Sequence, residues 1–239
     1  MERKISFTVG EFYHVYTRGV EKRLVFESVA DQDRFLLILF LCNGTGKIDI
    51  RSIQQKYKGE PFGKIFEGEK PANTLVDIVC YALMPNHIHL ILHERTDGGI
   101  SKFMLKLMTA YSMYFNKKYE RSGPLFTRPF RAKYINSDEY FRWVFAYVLL
   151  NPLELFAAKF RWNDLVNNEQ ARLFIESYRY SSFPDYYVGD RAETIILAKE
   201  ALPFPEIELG SMDSLLGQLS LRHNSDTHDS YEGEPFVTL

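Results

Sequence analysis

Residues 76–93 read V-D-I-V-C-Y-A-L-M-P-N-H-I-H-L-I-L-H. Val76 to Leu83 is β-branched and apolar and reads as a central strand. Met84-Pro85-Asn86 reads as a turn, and His87 to His93 as a second strand, so the stretch predicts a β-hairpin. Side chains alternate across a strand. His87 and His89 therefore share one face, while Ile88, Leu90 and Leu92 share the other and can enter a core. Two imidazoles one residue apart can bind one divalent cation. The same pair also reads as two hydrogen-bonded surface histidines. His93 lies further along the same face, as a neighbour rather than a ligand.

Outward from the hairpin, Phe12 to Arg18 (F-Y-H-V-Y-T-R) has strand composition and is closed by Gly19. Asp31 to Leu41 starts on an acid and continues as a dense apolar helix. Residues 43–74 show little periodicity and read as a long loop or an insertion. After Gly98-Gly99, Ser101 begins a helix to about Tyr119, with Phe103, Leu107, Ala110, Tyr111 and Tyr114 near helical spacing. Leu125 to Ile135 reads as extended and basic. Ser137-Asp138-Glu139 is a helix start, and that helix runs to about Asn151, where Pro152 helps to end it. Strands and helices alternate around one hairpin, which predicts an α+β fold: an antiparallel sheet with helices packed on it.

The last helix carries the second chemical signal. Tyr147 and Asn151 are four apart and so share a helical face. Asn151 offers a carbonyl oxygen that suits a hard cation. Tyr147 offers a phenol, a weak nucleophile until metal or positive charge assists it. If this helix covers the histidine face, the four residues converge. Each alone also reads blandly, Tyr147 as a core residue and Asn151-Pro152 as a helix end.

Composition bounds the remaining readings. The chain has 239 residues, 46% hydrophobic and 25% charged, ordinary for a globular protein. Aromatic content is 15%, which reads first as core packing and second as platforms for unpaired bases. Net charge is −2, but residues 1–160 carry 23 Lys and Arg against 17 Asp and Glu, and residues 161–239 carry 6 against 14. A basic body with an acidic tail points to a polyanion partner. Cys42 and Cys80 lack metal-ligand spacing. With no signal-like start and no apolar stretch that could span a bilayer, a cytoplasmic protein without a membrane partner is expected.

Tyr81-Ala82-Leu83-Met84-Pro85-Asn86-His87-Ile88-His89-Leu90 resembles the central signature of single-tyrosine HUH transposases, HUH denoting His-hydrophobic-His. Tyr147-Val148-Leu149-Leu150-Asn151-Pro152 resembles the helix motif of that family. Tyr13 to Gly19 resembles its first strand, and Phe126-Thr127-Arg128-Pro129-Phe130 the approach to the tyrosine helix. Tyr180-Ser181-Ser182-Phe183 resembles a short motif of the REP-associated branch. The resemblance covers about residues 8–189. It implies a ferredoxin-like sheet core and cleavage of single-stranded DNA by transesterification, leaving a 5′-phosphotyrosine and a free 3′-hydroxyl.

By position, the resemblance implies Tyr147 as nucleophile and His87 and His89 as metal ligands, with Asn151 in the place of a polar third ligand. The implied cofactor is a divalent metal, Mg²⁺ or Mn²⁺, and the implied partner is single-stranded DNA with hairpin structure. Arg18, Arg128, Arg131 and Lys133 are the expected backbone contacts. The oligomeric state stays open between monomer and homodimer. The expected organisation is a catalytic domain over 1–160, an extension over 161–203 and an acidic, weakly ordered tail over 204–239. Two alternatives stay open: a hydrolytic metal-dependent phosphodiesterase, and a domesticated hairpin-binding protein that does not cut.

Overall fold

The computed structural model describes residues 5–156, 165 and 167–223, with the backbone alone for residues 207 and 220–223. Strands β1 (Phe12–Arg18), β2 (Val76–Met84), β3 (His87–Glu94) and β4 (Arg131–Ile135) form one antiparallel sheet in the order β2-β3-β1-β4. Helix α1 (Val29–Leu41) lies between β1 and β2 in the chain, followed by two short helices, α2 (Ile50–Lys56) and α3 (Gly63–Gly68). Helix α4 (Gly99–Lys118) lies between β3 and β4, and α5 (Asp138–Leu150) follows β4. The succession β-α-β-β-α-β with this strand order is the ferredoxin-like arrangement.

Alternation along the strands separates two apolar layers. Tyr13, Val15, Ile88, Leu90 and Leu92 pack with α1 and α4 on one face. Ala82 and Ile91 pack with Phe141, Phe145, Val148 and Leu149 of α5 on the other. Every residue from Phe35 to Leu41 is buried. A helix apolar all round must be covered all round; the sheet, α4 and the Phe66 ring of α3, 5.2 Å from Phe40, cover it. Asp31 ties α1 to α4. Its carboxylate accepts from the Ser28 and Glu27 amides at the helix start, and from Lys118 (2.6 Å), Tyr119 (2.6 Å) and Tyr114 (3.0 Å). Glu94, the last residue of β3, accepts from the Ile100 amide at 2.6 Å and so fixes where α4 begins.

The chain after α5 packs on the same body. Helices α6 (Leu153–Phe156), α7 (Glu169–Ser177), α8 (Phe183–Tyr187) and α9 (Met212–His223) follow α5. Tyr180-Ser181-Ser182 lies along the outer edge of β2. There Leu83 N donates to Tyr180 O at 2.8 Å, Ser182 N to Tyr81 O at 2.9 Å, and Tyr81 N to Ser182 Oγ at 2.9 Å. The exposed sheet edge is thereby covered. Arg191 then binds Asp185, the Ser181 and Arg179 carbonyls and the Tyr81 hydroxyl, locking this segment down.

Three expectations change. Residues 43–74 contain α2 and α3 rather than an unbroken loop: Asp49 caps α2 by accepting from the Arg51 and Ser52 amides, and Ile65 and Phe66 of α3 are buried. Of the stretch 125–135, only 131–135 is strand. The stretch expected to be weakly ordered from 204 onward carries α9, whose Leu215, Leu216 and Leu219 are buried against α5. Residues 224–239 lie outside the described residues. No helix among the described residues is long and apolar enough to cross a membrane.

Candidate active site

The turn at Met84-Pro85-Asn86 returns the chain so that His87 and His89 project from β3 on the α5 side of the sheet. In β1, next to β3, Tyr16 stands opposite His89 and Arg18 opposite His87. Because Tyr13 and Val15 face α1 and α4, the two-residue period turns His14, Tyr16 and Arg18 to the histidine face. Helix α5 starts at Ser137, whose hydroxyl accepts from the Tyr140 amide at 3.2 Å, with Asp138 and Glu139 in the first turn. It ends at Asn151-Pro152. Phe141, Phe145, Val148 and Leu149 bind α5 to the sheet, and this fixes where Tyr147 and Asn151 fall.

They fall on the histidines. The Tyr147 ring centre is 5.4 Å from that of His89 and 6.1 Å from that of His14, edge-on to both. Trp143, one turn earlier, stacks on Tyr147 at 5.7 Å. His87 and His89 stand perpendicular with ring centres 5.0 Å apart. Asn151 is fully buried, and its side chain lies against both His87 and Tyr147. The convergence expected of the four residues is present. His93 is turned to other work, with Nδ1 2.8 Å from the Asp77 carboxylate.

The hydrogen bonds fix the state of one ring. Asn86 Nδ2 donates to Lys22 O at 3.3 Å, which turns its Oδ1 toward His87 Nδ1, 2.6 Å away. An amide oxygen only accepts, so His87 Nδ1 carries the proton and Nε2 keeps its lone pair. His89 Nδ1 lies 2.9 Å from Nε2 of His14, with one proton shared between them. Asn151 Nδ2 donates to Glu154 Oε1 at 3.3 Å, and the Asn151 side chain also stands within hydrogen-bonding reach of His87 and Tyr147.

Burial dominates the electrostatics. It lowers His87 to about 3, helped by the neighbouring Arg18 charge and partly opposed by Asn151. Burial and the Lys133 charge lower His14 to about 3. His89 falls well below the usual imidazole range through burial and its two histidine neighbours. The rings are neutral bases at neutral pH. Burial raises the Tyr147 phenol, and the Glu154 and Tyr16 side chains add to that. Burial also lifts the Glu154 carboxyl to about 7.

Among the described residues no three His, Cys, Asp or Glu side chains converge to hold a metal ion. The donor set that fits a cation is mixed: the neutral imidazoles of His87 and His89 and the carbonyl oxygen of Asn151, a combination suited to Mg²⁺ or Mn²⁺. The carbonyl oxygen of Asn151, buried beside His87 and Tyr147, and the Nε2 of His87, the ring nitrogen opposite the one bound to Asn86, favour this fit.

The expected backbone contacts divide. Arg18 lies beside His87. Arg131 and Lys133 of β4 stand opposite Tyr16 and His14, on the site's side of the sheet. Arg128 is exposed in the segment before β4, outside the sheet, where the adjacent Thr127 N donates to Arg18 O at 2.8 Å. Residue patterns had given no role to His14, Tyr16, Asn86 or Glu154. His14 and Tyr16 were detectable through the strand period that paired His87 with His89. Glu154 had no such signal.

Residues 51–149 match the family model described as "Transposase IS200 like". The matched segment contains His87, His89 and Tyr147 and stops short of Asn151. A solved structure described as the REP-associated tyrosine transposase bound to a REP hairpin is similar at 10% identity and a TM-score of 0.42, over 77% of this chain and 84% of that one. No curated protein matches the chain.

Proposed function

We propose that the chain, whose residues 51–149 match the IS200-like transposase family model, is a transposase of that kind and cuts and rejoins single-stranded DNA with Tyr147 as the nucleophile. The observation that carries this reading is the placement of Tyr147, 5.4 Å from His89 between ring centres, on the face that also holds His87 and Asn151. Single-stranded DNA that folds into hairpins is the proposed substrate, as the resemblance of the Tyr81–Leu90 and Tyr147–Pro152 motifs implies.

In the proposed reaction the Tyr147 oxygen attacks the scissile phosphorus and the bond to the 3′ oxygen breaks. The phenol proton is lost and the departing oxygen gains one, leaving a 3′-hydroxyl and a 5′-phosphotyrosine. The ester bond is conserved, so a second 3′-hydroxyl can reverse the attack and join a new strand without ATP. His87, His89 and Asn151 would hold a divalent cation, which supplies Lewis-acid stabilisation of phosphate charge when bound. Arg18, Arg131 and Lys133 offset further phosphate charge from the sheet. Burial keeps the phenol protonated in the free protein. Activation therefore belongs to the DNA-bound state, when positive charge is gathered at the phosphate. Trp143 holds the Tyr147 ring against rotation by stacking on it.

The test uses end-labelled single strands from the DNA flanking the gene, incubated with Mg²⁺ or Mn²⁺ and run on a denaturing protein gel. A labelled band at protein size that needs metal and vanishes in Tyr147→Phe is expected. Cut DNA without an adduct, unchanged in Tyr147→Phe, overturns the tyrosine mechanism in favour of hydrolysis by water. Hairpin binding with neither adduct nor cutting indicates a binding protein.

A further inference from the structure

His14 takes no part in the reaction above, yet it is buried in the sheet, at 7% exposure. It stands on β1 diagonally across from His89, with ring centres 5.1 Å apart and planes 19° from parallel. Its Nε2 is 2.9 Å from Nδ1 of His89. A neutral imidazole has one N–H and one lone pair, so this contact has two settings. If His14 donates, His89 carries its own proton on Nε2 and cannot bind a cation through that atom. If His89 donates from Nδ1, its Nε2 keeps a lone pair. His87 has the second setting imposed by Asn86, whose oxygen can only accept.

We infer that His14 is a positioning residue that accepts the Nδ1 proton of His89 and so holds His89 in the tautomer able to bind a divalent cation through Nε2. This rests on the metal role proposed above for His87 and His89. The two ligand rings then have matched supports, an amide oxygen from the hairpin turn for His87 and an imidazole lone pair from β1 for His89. A partner of this kind fixes both the orientation and the tautomer of a ligand. The segment Tyr13 to Gly19 thus contributes to the site through His14 as well as through sheet pairing.

Two measurements on the full chain test it. Long-range ¹H–¹⁵N spectra of metal-free protein, at neutral pH with histidine ¹⁵N labelling, report the tautomer directly. His89 is expected to be protonated on Nδ1 and bare on Nε2; the reverse overturns the inference whatever the metal does. Mn²⁺ titration followed by electron paramagnetic resonance then compares wild type, His14→Phe and His14→Gln, each checked for a native circular dichroism spectrum. Phenylalanine keeps a ring and removes the acceptor, while glutamine can place an oxygen near the Nε2 position. Mn²⁺ affinity is expected to fall about 10- to 100-fold in His14→Phe and to recover in His14→Gln. Wild-type affinity in a folded His14→Phe overturns the inference. If wild type binds no Mn²⁺, or binds it equally in His89→Ala, the metal reading itself fails, and the spectra still decide the tautomer.

Discussion

At the residue scale, His14, His87 and His89 make stability depend on pH. Their proton affinities are depressed in the fold, with His14 and His87 lowered from 6.5 to about 3. Between those values the unfolded chain binds protons that the folded chain does not, so stability is full above pH 6.5 and falls as pH drops. Glu154 acts with the opposite sign. Raised from 4.5 to about 7, it favours the fold at low pH and loses that contribution as pH rises through 7. Three histidines oppose one carboxyl, so the denaturation midpoint in urea is expected to fall on going from pH 7 to pH 5. The loss is of order 1–2 kcal/mol per buried histidine. Replacing Glu154 with Gln should make that fall steeper, because the opposing contribution disappears. A midpoint that is flat from pH 7 to pH 5 contradicts the burial of the neutral histidines.

At the element scale, the hairpin and α5 were legible because each has a clear period and a clear punctuation mark. Val76–Met84 and His87–Glu94 are separated by Pro85-Asn86, and Ser137 and Pro152 frame the tyrosine helix. Helix α9 was not legible. Asp213, Ser214, Gln218 and Ser220 give it the composition of a tail and hide the apolar face formed by Leu215, Leu216 and Leu219. Helices α2 and α3 were missed for a related reason: each is too short to show a period, and what defines them is the Asp49 cap and the docking of Phe66 beside Phe40. If α9 is part of the fold, Leu216→Ala should destabilise the protein by about 2–5 kcal/mol. Ser137→Ala, which removes the α5 cap, should cost about 1 kcal/mol. Thermal unfolding of both variants checks the order, and a Leu216→Ala effect smaller than that of Ser137→Ala contradicts the docking of α9.

At the scale of the whole molecule, a net charge of −2 concealed a basic body. The strand pairing shows what the count could not: Arg18, Arg131 and Lys133 lie on the face of the sheet that bears the histidines. The sequence marked Arg128 equally, and it lies exposed before β4, outside the sheet. Binding of single-stranded DNA should weaken steeply with salt. Arg131→Ala and Lys133→Ala should each lower the magnitude of the salt slope by about 1, with Arg128→Ala doing less. Equal effects from all three would show that position on the sheet does not govern the contacts. The asparagine at 151 and the carboxyl at 154 were a harder case, since their meaning depends on the hydrogen bond between them and on burial that no spacing rule predicts.

The central claim is that Tyr147 forms a covalent bond with DNA, and the most direct measurement is to find that bond. Protein incubated with flanking single strands and Mn²⁺ would be digested with nuclease and protease, and its peptides mapped by mass spectrometry. A nucleotide attached through phosphate to the peptide containing Tyr147, absent without metal, is the predicted result. Cleaved strands ending in a free 5′-phosphate, with the Tyr147 peptide unmodified, would contradict the account.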